Sequence, residues 1–462
     1  MNINEYPYLL TQANDLFHAP FGVNICTPDK AGLNADAKSI YSRTALVNEE
    51  SLKGVIEVVQ KVVVKSPIYI SRKSPDLSML DLKHSLNYSL FILPVEKTKR
   101  VFVMTRQMVY DSEGTQGFRI KNVIMFTFDE NQRLLNTPDA VGAVVSLSAY
   151  LAPSSAYSVF TKRRISVMQR LDYSPYFPKN FAYIKHQSKV RIFQEKASCN
   201  LLTYHNEIMS LNALDELTKR RVCKELIGAL CEMEAQGLLH RDVKLENILV
   251  FFERLPLGQE EMHVKISDFG FACNATDQTA LKELLGSYAW ASPEIIHRAR
   301  GNFIVDPIGI GNDIWALGLV LYILCNGKLA PVQECLFQIE RLQANIKAAE
   351  TVLQYIRFWN PSFEQQQRLD RSFARLQNYR PQRVYSLDTF ACASEVKLDL
   401  ALDKQELKIQ EEHWVQLVQS LPASPRTIQA IEHLALAMIQ ESPRARLALA
   451  KALKEADRLI QR

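Results

Sequence analysis

The chain has 462 residues, 47% apolar and 23% charged, so it can bury a sizeable core and is neither a disordered nor a fibrous sequence. A formal net charge of +5 is too weak and dispersed to mark a nucleic-acid binder, and the triplets Lys162-Arg163-Arg164 and Lys219-Arg220-Arg221 read as solvated helix faces. Eight cysteines fall without CxxC or Cys/His metal spacing, and the N-terminus lacks a secretory apolar stretch, which points to reduced thiols in a cytoplasmic protein.

Residues 1–85 mix turn signals with one expected helix, Ser51 to Lys65, and carry no recognisable chemistry. From Tyr88 the texture is β. The runs Ser89–Leu93, Arg100–Val109 and Phe118–Phe128 are separated by Val95–Lys99 and Asp111–Gly117, as in an antiparallel meander. Helices are predicted at Asp139–Leu151 and Ser154–Leu171, then a hairpin with strands Phe181–His186 and Val190–Gln194. Beyond Asn200 the pattern is helical, apart from a hairpin over Ile248–Ile266 that carries an inserted surface turn at Leu255–Glu261. No apolar run approaches the ~20 residues of a membrane-spanning helix. The longest, Ala316–Cys325, reads as a buried core helix. Leu336, Ile339, Leu342, Ile346, Leu353 and Ile356 recur at helical spacing as a core or helix-pairing stripe. The fold class is α+β, a small β-rich lobe followed by a larger helical one.

The chemistry concentrates in two short segments. His240-Arg-Asp-Val-Lys-Leu-Glu-Asn247 places a carboxylate and a carboxamide five positions apart on one loop, with a lysine between them. A strand pair later comes Ser267-Asp-Phe-Gly270, whose Asp268 is an oxygen ligand suited to Mg²⁺. Phosphoryl transfer from ATP asks for such parts: a held metal, a carboxylate to orient the attacking hydroxyl, and a cation on the transferring group.

These two segments resemble the catalytic loop and metal-binding loop of eukaryotic-type Ser/Thr protein kinases. Three further segments resemble that family in order: Gly286-Ser-Tyr-Ala-Trp-Ala-Ser-Pro-Glu294, Asp313-Ile-Trp-Ala-Leu-Gly318 and Pro443-Arg-Ala-Arg446. The resemblance implies a bilobal kinase fold with residues 1–85 as an extension, 86–196 as the N-lobe and 197–462 as the C-lobe, the last enlarged by helices over about 331–426. It implies ATP and Mg²⁺ as cofactors and a protein substrate. Asp242 is then the catalytic base, Lys244 contacts the transferred phosphate, and Asn247 and Asp268 bind the metal. Ser287 stands where the family has a threonine that contacts the base, Asp313 braces the catalytic loop, and Arg446 pairs with Glu294. The hinge resembles Phe193-Gln-Glu-Lys-Ala197, which makes Glu195 and Asn200 the nucleotide-side residues. Arg241 beside the base goes with activation by phosphorylation, for which Thr276 and Thr279 are the candidate acceptors.

The N-lobe departs from the pattern. In one register, Ser112-Glu-Gly-Thr-Gln-Gly117 is the glycine-rich loop with its first glycine lost, Phe118–Phe128 is the second strand, and the third falls near Val144, where there is no lysine. In the other, which we prefer because it supplies a lysine after an apolar strand residue, Lys121 is the phosphate-contacting residue of the third strand, and Lys97 and Lys99 stand at a hairpin tip without glycine. The helix glutamate that should pair with the strand lysine is replaced by Arg164; Asp139 or Asp172 substitutes, a partner protein reorganises the lobe, or the pair is absent. The leading expectation is an active Ser/Thr kinase. The alternative is a pseudokinase or nucleotide-binding scaffold, with a small-molecule phosphotransferase third. The helical addition over 331–426 is either a docking surface or a subdomain packing on itself. Divergent N-lobes with helical additions also resemble translocated effector kinases of intracellular bacteria, which would place the protein in a host cytosol.

Overall fold

The computed structural model describes residues 70–71, 88–95, 98–105, 110–114, 118–128, 142–149, 156–186, 189–255, 259–301, 309–356, 362–380 and 389–461. They form two compact units, one of the described residues up to 200 with 249–272, the other of 201–248 with 273–461. The helix expected at Ser51–Lys65 lies outside the described residues, as do Asp139 and Lys97.

The first unit is built on an eight-stranded sheet ordered β1-β2-β3-β5-β6-β8-β7, with β4 also paired to β5. The strands are β1 (Ile70–Ser71), β2 (Tyr88–Val95), β3 (Thr98–Thr105), β4 (Tyr110–Gly114), β5 (Phe118–Phe128), β6 (Gly142–Ala149), β7 (Asn180–His186) and β8 (Lys189–Glu195). Aromatic and β-branched residues dominate β2, β3 and β5, which suits a pleated surface. β2 and β3 form a tight hairpin in register from Tyr88↔Thr105 to Val95↔Thr98. One edge of β5 is shared by β3 and β4; its other edge takes β6.

β6 corrects the reading of Asp139–Leu151 as a helix. Its eight residues, GAVVSLSA, are too few and too short-chained for periodicity to separate strand from helix. Two waiting edges, β5 and β8, decide it by supplying ladder partners on both sides. The sheet order places both candidate strands of the two registers side by side. β6 at Val144 is the strand between β5 and β8, and Lys121 stands one strand away on β5, opposite Tyr110 and Val145.

Helix α1 (Ala156–Leu171) follows β6, and its buried residues Val167, Met168 and Leu171 lie on one face. A smaller sheet of β9 (Cys199–Asn200), β11 (Ile248–Arg254) and β12 (Glu260–Ile266) completes the unit. Its link to the rest includes Ile266 N–H donating to the Tyr176 carbonyl and an edge-to-face contact of Phe177 with Phe269 at 5.6 Å.

The second unit is helical, with a two-stranded pair of β10 (Leu238–Leu239) and β13 (Cys273–Asn274). Its helices are α2 (Glu216–Ala235), α3 (Gln278–Lys282), α4 (Pro293–Ala299), α5 (Ile310–Asn326), α6 (Pro331–Tyr355), α7 (Phe363–Tyr379), α8 (Thr389–Gln419), α9 (Ile431–Met438) and α10 (Leu449–Ile460). Asp215 caps α2 by accepting from Thr218 N–H at 2.9 Å. α5 contains the expected Ala316–Cys325 core segment and is buried along most of its length. Gly327 closes it at φ 66°, donating to the Ile323 carbonyl. Among the described residues no single helix is long and apolar enough to cross a membrane. Helices α6, α7 and α8 share a core of their own: Ala348, Ala349 and Val352 meet Leu376, Cys392 and Val396.

Candidate active site

In the second unit the catalytic loop hangs between β10 and β11, and Asp313 of α5 holds it from below. The Asp313 carboxylate accepts from the backbone N–H of His240 at 2.7 Å and of Arg241 at 2.8 Å. Burial pushes its pKa up, opposed by His240 and those donors. Arg241 adopts φ 68°, a left-handed conformation that a bulky residue takes only when its surroundings impose it.

The Asp242 carboxylate is the centre of this cluster. Oδ1 accepts from Ser287 N–H at 3.0 Å and Ser287 Oγ at 2.9 Å; Oδ2 meets Lys244 Nζ at 2.9 Å and accepts from Asn247 Nδ2, also at 2.9 Å. Asn247 also donates to the Asp242 carbonyl, and Lys244 donates to Ser287 Oγ at 2.8 Å. Asp242, Lys244 and Asn247 are all buried. Gly286 makes this approach possible: at φ 108°, a Cβ there would lie 2.4 Å from the Arg241 carbonyl oxygen. The cleft beside the cluster is lined by polar and apolar groups together, among them Arg241, Asp242, Ser287, Trp290, Asn312 and Ala316.

Arg446 ties the end of the second unit to this region. Its guanidinium meets both Glu294 oxygens at 2.7 Å and also donates to the carbonyls of Gly311, Gln440 and Glu441, while Trp315 covers its face at 5.3 Å. Arg241 Nη2 donates to the Glu283 carbonyl and Nη1 to Cys273 Sγ at 3.6 Å. Sequence reasoning passed over Cys273; burial raises its pKa despite that guanidinium. Thr276 and Thr279 are exposed, and Thr279 N–H donates to Asp277 at the start of α3.

In the first unit Asp268 also adopts a positive φ, 61°, and accepts from Gly270 N–H at 3.3 Å. Arg164 Nη1 of α1 stands 3.9 Å from its Oδ1. Arg164 is 8% exposed, so the reading of Lys162–Arg164 as a solvated triplet fails at this residue. It occupies the i position of the buried stripe Val167, Met168, Leu171, a signal that the sequence carried. Asp172 accepts from Asn180 Nδ2, and Asn180 is linked in turn to Gln194. Glu195 at the end of β8 accepts from Lys179 N–H and is paired with Lys265, and Asn200 lies in β9 opposite Leu249. Asn247, an amide oxygen of the second unit, and Asp268, a carboxylate of the first, are each donors of the kind a hard cation such as Mg²⁺ takes.

Similarity to known proteins agrees with this geometry. A protein kinase domain model matches residues 158–456, well over half of the chain. Developmentally-regulated protein kinase 1 of Dictyostelium discoideum is 28% identical over 165 residues, 36% of this chain and 21% of the relative. Serine/threonine-protein kinase PAK mbt of Drosophila melanogaster is 32% identical over 123 residues, covering 26% and 17%. A carbon catabolite-derepressing protein kinase of Candida glabrata is 31% identical over 163 residues, covering 35% and 24%. The chain thus spans about a fifth of the length of these curated relatives. With a braced loop at His240–Asn247, a latched Glu294 and the family match running through both, the chain belongs to the protein kinase domain family.

Proposed function

We propose that the chain transfers the γ-phosphate of ATP to a serine or threonine hydroxyl of a protein substrate. The observation that carries this reading is the Asp242 carboxylate, buried yet facing a cleft and held by Ser287, Lys244 and Asn247. Asp242 orients the attacking hydroxyl and takes up its proton as the oxygen bonds to phosphorus. Lys244, fixed against Asp242 and Ser287, supplies positive charge to the group in transfer. Asn247 and Asp268 would be the oxygen donors for Mg²⁺, which would supply positive charge against the phosphates. The backbone around residues 195–198 and Asn200 are the nucleotide-side elements. The free thiols of Cys223, Cys231, Cys325 and Cys335 support a reducing, cytoplasmic setting.

A second reading, a nucleotide-binding scaffold without turnover, is favoured by the absence of lysine from β6 and by Arg164 on α1. Incubation of purified protein with radiolabelled ATP and Mg²⁺, beside Asp242→Ala, separates the two. The kinase reading expects autophosphorylation or labelling of a generic basic protein by wild type, reduced at least ~10²-fold in the variant. No label from either, even with a cell extract added to supply an activating partner, leaves the scaffold reading standing.

A further inference from the structure

Among the described residues, β6 and helix α1 lack the lysine and the glutamate of the ion pair that a kinase N-lobe is expected to contain. β6, which lies between β5 and the hinge strand β8, has no basic residue in Gly142-Ala-Val-Val-Ser-Leu-Ser-Ala149. Helix α1 carries an arginine where the glutamate should be, and that arginine is buried beside Asp268. We propose that Arg164 is the phosphate-side cation of this kinase, supplied from helix α1 in place of a strand lysine. The proposal rests on the ATP-dependent reading given above.

Three observations support it. A guanidinium stays charged at any working pH and is rarely buried without a counter-charge; Asp268 provides one here. Their 3.9 Å separation exceeds the ~2.7–2.9 Å of a closed charge-assisted hydrogen bond, so the pair is a charge contact and not a bidentate clamp. Asp268 is also the carboxylate that takes the metal. With a dication on Asp268, Arg164 would be a second positive charge beside the same carboxylate. A polyphosphate answers both charges at once, and the planar fork of arginine suits phosphate oxygens. The position is rigid because Arg164 rises from the same helix face as the buried Val167, Met168 and Leu171.

The test is calorimetric binding of ATP and of adenosine, each with Mg²⁺, to the full chain and to Arg164→Ala and Arg164→Lys, with melting temperatures recorded for all three. A phosphate contact of this kind is equivalent to about 10–100-fold in affinity. Arg164→Ala should weaken ATP by that factor while adenosine, which has no phosphate, binds as to wild type. Arg164→Lys should recover part of the loss. Equal weakening of ATP and adenosine would reduce Arg164 to a packing role and overturn the proposal, as would an unchanged ATP affinity in a folded Arg164→Ala. Wild type that binds neither ligand would overturn the ATP-dependent reading itself, and this inference with it.

Discussion

Ser287 illustrates how finely the Asp242 carboxylate is held. Its hydroxyl donates to Asp242 and accepts from Lys244, while its backbone N–H gives Asp242 a second donor. Ser287→Ala removes the first two and keeps the third, so turnover should fall by about one order of magnitude, the equivalent of one hydrogen bond to a charged group. Ser287→Thr should retain most activity, because the hydroxyl remains. Initial rates at saturating ATP read both, and equal rates for the Ala and Thr variants would refute the role. Arg446 is a stability case. Its charge and that of Glu294 are both buried, so Arg446→Ala should cost about 3–5 kcal/mol in denaturant unfolding. A loss below 1 kcal/mol would contradict it.

Elements show the same logic in packing. Gly318 lets α9 approach α5: a Cβ there would lie 2.8 Å from Ile439 Cγ1 and 2.9 Å from Met438 Cβ. Gly318→Ala should therefore destabilise by about 1–3 kcal/mol even though alanine favours helix, and a stabilised variant would sink this account. At the junction of α7 and α8, Arg380 faces the buried Asp403 at 2.6 Å and Asp399 at 3.7 Å. Burial raises the Asp403 pKa above its unfolded value, with Arg380 opposing. A raised carboxyl pKa means that its contribution to stability is present below the unfolded pKa and is lost as pH rises through the folded one. Removing Arg380 lifts that pKa further. Arg380→Ala should lose about 3 kcal/mol at pH 7 and progressively less as the pH falls toward the carboxylate range, followed by unfolding midpoints. A pH-independent loss would rule the mechanism out. Hairpins and long stripes such as Leu336–Ile356 were legible in the sequence because their apolar spacing is unambiguous. β6 was not, since eight small residues acquire a strand's identity only from the two strands beside them.

At the scale of the whole molecule, the catalytic loop could be read because Asp242, Lys244 and Asn247 lie within six residues of one another. The Arg164–Asp268 contact joins positions 104 apart (268 − 164), and its only local trace was a basic residue on an apolar stripe. The buried thiols of Cys223 and Cys335 and the half-buried ones of Cys231 and Cys325 are a property of the assembled second unit. Burial pushes Cys325 up to about 12 and Cys231 and Cys335 up to about 11, and lifts Cys223 further. Since the thiolate is the reactive form, alkylation at pH 8 with peptide mapping should leave these four unlabelled in the native protein and labelled in denaturant. Rapid native labelling of Cys223 or Cys325 would contradict this.

The two units are interleaved along the chain, which passes from one to the other after residues 200, 248 and 272. This sets an order of events on the ribosome. β9 lacks its partner β11 until residues 248–254 have emerged, and the first unit is not complete until residue 272, 72 residues after its first segment ends (272 − 200). At about 5–20 residues per second, β9 and the small sheet it belongs to wait roughly 4–14 s for the rest of their unit. The first unit therefore cannot close before part of the second has been made, and a ribosome-bound chaperone that shields β9 during that interval should raise the yield.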